Sequence, residues 1–178
     1  MSTQQDIHCL ALHQHPFIKG KERDTPDTHS FTAVADLLPH SGDMVWLDRV
    51  NQWGDDFIEV SATPKGHPWF GDNERGVPSC VGIEYMAQAI AALAGLLSRR
   101  EGGPIRIGFL LGTRKYTTHV PFFPHNAMLT IRARQVCVTE NNFGLMDCEI
   151  RSDRVLAHAQ LKVIQPDILI KFLGPRDR

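Results

Sequence analysis

The longest sustained apolar pattern in the chain runs from Gly82 to Gly103, GIEYMAQAIAALAGLLSRREGG. Ile83, Met86, Ala87, Ile90, Ala94 and Leu97 recur at helical spacing, while Ala89, Ala92, Leu93 and Leu96 make the opposite side apolar as well. A helix that is apolar all round has to be covered all round. This one is too short to cross a bilayer, so protein is expected to cover it. Five alanines between 87 and 94, with Gly95, let neighbouring backbone come close. Arg99 and Arg100 suit the negative end of the helix dipole, and Gly102-Gly103 stops the run.

On either side of the helix the period changes to two. Before it, AVADLLP gives a short helical piece, and MVWLDRVNQW and DFIEVSATP form a hairpin around Gly54-Asp55. A Gly- and Pro-bearing loop containing His67 leads into the helix. After it come PIRIGFLLGTRKYTTHV, MLTIRARQVCVTE, GLMDCEIRS and RVLAHAQLKVIQ, strand-like stretches of which the last three are joined by tight connections. Hairpin, buried helix, then meander is satisfied by one core. The predicted class is α+β, an antiparallel sheet curled around one central helix. Residues 1–30 are polar, without sustained periodicity, and read as a loosely ordered arm; 31–166 form the single domain; 167–178 are a tail.

Composition narrows the function classes. At 178 residues the chain is long enough to bury roughly 70% of its unfolded surface without a disulfide or metal staple. Lys and Arg number 19 against 20 Asp and Glu, which speaks against a general nucleic-acid binder. No signal-peptide pattern opens the sequence, and a cytoplasmic protein without a membrane span is expected. The four cysteines have no zinc or redox spacing. If residues 141–144 are a hairpin loop, Cys137 and Cys148 fall opposite each other, with two buried thiols expected rather than a disulfide. His8, His13 and His15 lack the supporting ligands of a metal tract.

Walker loops, GxGxxG, HExxH and GxSxG are absent, so no cofactor and no metal are expected. The chemistry-bearing residues that remain gather at the helix start: His67, Cys80 and Glu84. A carboxylate in the first turn gains from the helix dipole, as a functional acid or simply as a charge complement. Within so apolar a helix it needs a partner, which Gln88 one turn on supplies only in part. His67 before Pro68-Trp69-Phe70 is suited to general base work at neutral pH. Cys80 reads as a packing thiol before it reads as a nucleophile.

LLPHSGDMVWLDRV (37–50), HPWF (67–70), GVPSCVGIEYMAQA (76–89) and GTRKYTTHVPFFP (112–124) together resemble the β-hydroxyacyl-ACP dehydratases of the FabA/FabZ type, nearest to the dehydratase-like proteins of aryl-polyene-type clusters. The resemblance is colinear over about residues 31–166. It implies a hot-dog fold, an obligate dimer, and a site in which His67 is the base and Glu84 the acid, drawn from different subunits. It also implies that Ser79 and Cys80, in the turn before the helix, hold the thioester carbonyl through backbone N–H groups, with Gln88 at the substrate site. The family's H-F-P-G loop is replaced here by HPWFGDNERG, and Ser79 stands where the family has glycine.

The implied reaction is dehydration of a (3R)-hydroxyacyl-ACP to the trans-2-enoyl-ACP in fatty-acid or polyene-type lipid synthesis. Two alternatives stay open: a hot-dog acyl thioesterase, and a non-catalytic or weakly active subunit of a heterodimeric dehydratase. The implied partners are acyl carrier protein and a second hot-dog subunit, identical or not. Between Tyr85 and Thr139 seven basic residues face one acid, Glu101, a local balance of +6 that would steer an acidic carrier if the charges cluster.

Overall fold

In the computed structural model the described residues are 33–66 and 74–166. The predicted arm, the tail and the His67 loop segment 67–73 lie outside them.

Two antiparallel strands open the sheet, β1 (Arg49–Trp53) and β2 (Phe57–Ala62), with the Gly54 N–H bonded to the Phe57 carbonyl across the turn. A two-residue strand, β3 (Val77–Pro78), and a 3-10 turn (Ser79–Val81) feed α1 (Gly82–Arg100). Then follow β4 (Phe109–Thr118), β5 (Phe122–Phe123), β6 (Leu129–Val138), β7 (Phe143–Arg151) and β8 (Val155–Ile164). The six long strands make one antiparallel sheet in the order β1-β2-β6-β7-β8-β4, and β3 pairs with β5 apart from it.

The alternation seen in the sequence maps onto the two faces of this sheet. Ile58, Val60, Ile131, Ala133, Cys148, Ile150, Ala157, Ala159 and Leu161 point inward and are buried against Met86, Ala89, Leu93 and Leu96 of α1. Their neighbours Arg132, Arg134, Asp147, Glu149 and His158 share the other face, so one period-two pattern builds both core and outer surface. The predicted fold class holds: one helix lies in the curl of an antiparallel sheet.

The small residues of the helix have a specific use. A Cβ at Gly95 would stand 2.2 Å from the Leu37 carbonyl oxygen, so only glycine lets the 3-10 turn Val34–Leu37 lie on the helix. After Arg100 the Gly102 N–H bonds to the Arg99 carbonyl and the Gly103 N–H to that of Ser98, with Gly102 at φ +74°. The predicted glycine stop is therefore a Schellman motif, with Gly102 in the left-handed region.

Three expectations need correction, the last being that the helix is too short for a bilayer. The helix is not covered on every side in the single chain: Ile83, Ala87, Ala91, Ala94 and Leu97 are only partly buried, a strip along one side. Cys137 and Cys148 are not opposite each other. The hairpin closes with the Thr139 N–H on the Phe143 carbonyl, and Cys137 faces Leu145, three residues short of Cys148. A bulge between Gln135 and Cys137 then sets Cys148, a buried free thiol, against Ala133, while Cys137 is half-buried and disulfide-bonded rather than the second buried thiol expected. The helical run Ser79–Arg100 has the length and apolarity of a membrane span, but 61% of its most apolar window is buried within the fold.

Candidate active site

Glu84 enters through the first turn of α1, with its side chain 33% exposed. Its Oε1 accepts a hydrogen bond of 2.8 Å from Gln88 Nε2, the one-turn neighbour expected from the sequence. Gln88 has no exposed surface. Its Nε2 also donates to the Met44 carbonyl at 2.7 Å, and its Oε1 accepts the Trp46 N–H at 2.9 Å. Every polar group of the amide is therefore engaged, as burial requires. Gln88 reaches the site through Glu84 rather than through an open face, and it fastens the segment before β1 to the helix.

That segment brings a residue the sequence reading passed over. His40 Nε2 stands 3.5 Å from Glu84 Oε1, the imidazole 28% exposed. The LLPH stretch was legible as a motif, but nothing in its spacing told which side of the helix it would meet. Its two leucines, Leu37 and Leu38, are buried against the core, and the histidine follows them into place.

The turn ahead of the helix is braced from three sides. The Ser79 N–H donates to the Pro121 carbonyl at 3.0 Å, and the Ser79 carbonyl accepts both the Gly82 N–H and the Tyr116 hydroxyl. Gly82 makes room for that phenol, since a Cβ there would lie 2.5 Å from its oxygen. The amides still unused at this helix start begin with Cys80, because first-turn N–H groups have no intrahelical acceptor. Cys80 itself is an exposed free thiol. Burial pushes the Tyr116 hydroxyl up to about 12, with a smaller contribution from Cys80.

Beside Tyr85 a cleft of about 370 Å³ opens, lined among others by Trp46, Asp48, Thr63 and Lys65. Thr63 donates to Asp48 at 2.7 Å, and Lys65 Nζ is 3.9 Å from the same carboxylate. Tyr85 stacks obliquely on Trp46 and edge-on to Phe123, and burial, with Asp48 as the lesser cause, raises its hydroxyl to about 12. Glu84 and this cleft lie on successive residues of the helix start. Among the described residues no cluster of three His, Cys, Asp or Glu side chains could hold a metal ion.

The family model of the ApeP-like dehydratases, ApeP dehydratase, matches residues 32–174. The chain belongs to the ApeP-like dehydratase family. Its chemistry is accordingly that of a hydro-lyase, of the polyene-type dehydratase class. This ApeP-like chain is 28% identical to a chain of the dehydratase heterocomplex ApeI:P from Xenorhabdus doucetiae, over 76% of its own length and 91% of the other's, with a TM-score of 0.69. Two more distant structures share the fold alone. They are an uncharacterised protein, PH1136, from Pyrococcus horikoshii (8% identity, 76% and 95% covered, TM-score 0.55) and a hypothetical thioesterase with coenzyme A from Streptococcus pneumoniae (13%, 66% and 84%, TM-score 0.50). No curated protein sequence matches the ApeP-like chain.

Proposed function

We propose that this chain removes water from a 3-hydroxyacyl thioester borne on acyl carrier protein, with Glu84 as the acid and His67 as the base. The observation that carries this is Glu84 itself: a partly exposed carboxyl group at a helix start, one oxygen engaged by Gln88, in a chain of a dehydratase family. The base takes the C2 proton, the C3–O bond breaks as the acid protonates the leaving hydroxyl, and the C2–C3 double bond forms. Charge that builds on the thioester oxygen meets the amides at the helix start. Those donors begin with the Cys80 N–H, since that of Ser79 is spent on Pro121 and that of Gly82 on Ser79.

We infer further that the working unit pairs this chain with a second hot-dog subunit. Strand β4 is bonded to β8 along one side and stands at the end of the sheet. Its first three residues, Phe109, Leu110 and Leu111, are all exposed, and Ile107 just before them is too. A ten-residue edge strand that opens on three exposed apolar residues is a template for another strand. The match to a chain of a heterocomplex favours a non-identical mate. The seven basic residues are divided among the end of α1 (Arg99, Arg100), the connection after it (Arg106), β4 (Arg114, Lys115) and β6 (Arg132, Arg134); those of β4 lie on the proposed pairing strand.

The test is mass spectrometry of 3-hydroxyacyl-ACP incubated with the pure chain, alone and with a co-expressed second hot-dog subunit. Loss of one water is expected, and Glu84→Gln should lower kcat by about 10²–10⁴. Release of the free acid instead would make the chain a thioesterase. Unchanged turnover by Glu84→Gln would remove the carboxyl group from the mechanism.

A further inference from the structure

We propose that His40 is a positioning residue for Glu84, fixing which carboxylate oxygen faces the substrate; this rests on Glu84 being the acid of the reaction above. Two side chains converge on the same oxygen, Oε1: Gln88 Nε2 at 2.8 Å and His40 Nε2 at 3.5 Å. Both contacts are made to Oε1, and the oxygen assigned to the chemistry is therefore Oε2.

The imidazole's own surroundings set its proton. Nδ1 is buried and, among the described residues, has no hydrogen-bond partner, whereas Nε2 faces a carboxylate. A proton on Nδ1 would be a buried donor without an acceptor, so the neutral ring carries it on Nε2, aimed at Glu84. At 3.5 Å the contact is longer than a formed hydrogen bond, as resting acid–base pairs often are.

The backbone that delivers His40 is held at both ends. Leu37 lies on the helix at Gly95, and Met44 and Trp46 are tied to Gln88. His40 sits between these two anchors, so its ring is placed by the same helix that carries Glu84. All of these anchors lie within one chain.

Two measurements test it. In the first, His40→Ala should lower kcat about tenfold with KM little changed, and His40→Gln, which returns an N–H near the Nε2 position, should recover most of the loss. A kcat that survives His40→Ala, or falls equally in both variants, overturns the assignment. In the second, imidazole ¹⁵N NMR should show the His40 proton on Nε2, with a resonance that moves in Glu84→Gln. A ring protonated on Nδ1, or one indifferent to Glu84→Gln, overturns it as well. An inactive wild-type dimer would count against the dehydratase reading instead, and the NMR result would then decide the His40–Glu84 pairing by itself.

Discussion

The phenol of Tyr116, on the edge strand β4, donates its hydrogen bond to the carbonyl of Ser79, at the turn that opens α1. Sheet edge and helix start are thereby joined through one side chain, with Gly82 leaving the space in which they meet.

Tyr116→Phe deletes that bond without changing the ring. The Ser79 carbonyl keeps the Gly82 N–H, so the loss belongs at the low end of the range for a buried hydrogen bond, about 1 kcal/mol. For a chain of this size that corresponds to a Tm lower by about 2–4 °C. An unchanged melting curve would mean that the hydroxyl contributes nothing to the turn.

Alkaline pH should loosen the fold through the same residue and through Tyr85. Both hydroxyls are raised by burial to about 12, above the value near 10 of an unfolded tyrosine. Between those values the unfolded chain gives up protons that the native chain keeps, so stability is complete below about pH 10 and falls as pH rises toward 12. Urea midpoints measured across that window should decline, and less steeply in Tyr116→Phe. Midpoints that hold constant to pH 12 would contradict the burial of both hydroxyls.

Gly95→Ala sets helix propensity against packing. Alanine is favoured over glycine in a helix by about 1 kcal/mol. Here its methyl carbon would meet the Leu37 carbonyl at 2.2 Å, and overpacking of this kind costs about 1–3 kcal/mol. Net destabilisation is expected in chemical denaturation, and a more stable variant would show that the turn yields easily.

Gln88→Leu keeps the bulk and removes the amide. The Met44 carbonyl and the Trp46 N–H then lose the Gln88 amide, at about 1 kcal/mol for each part-buried hydrogen bond. Hydrogen exchange should quicken at Trp46 in particular. If exchange there matches the parent chain, the loop is held by something other than this amide.

The sequence revealed what periodicity can carry. The apolar helix, the β1–β2 hairpin and the β6–β8 meander all show a period, and their bounds differ from expectation by a few residues. The β3–β5 pairing was illegible, because two residues on each side have no period to display. The Cys137–Cys148 register failed for a local reason, an earlier loop and a bulge that no alternation announces. At the site, Glu84 and Gln88 could be paired because helical spacing relates residues four apart. His40 could not: its approach to Glu84 is made by tertiary packing of Leu37 and Leu38 across 44 residues of chain.

Gln88 joins three things through one amide: the carboxyl group of Glu84, the path of the chain at Met44 and Trp46, and the body of the helix. Reactivity and architecture are consequently inseparable at this point. A variant chosen to retune the proposed acid by altering its neighbour would also unfasten the segment that carries His40, so robustness and turnover should drift together rather than trade against each other.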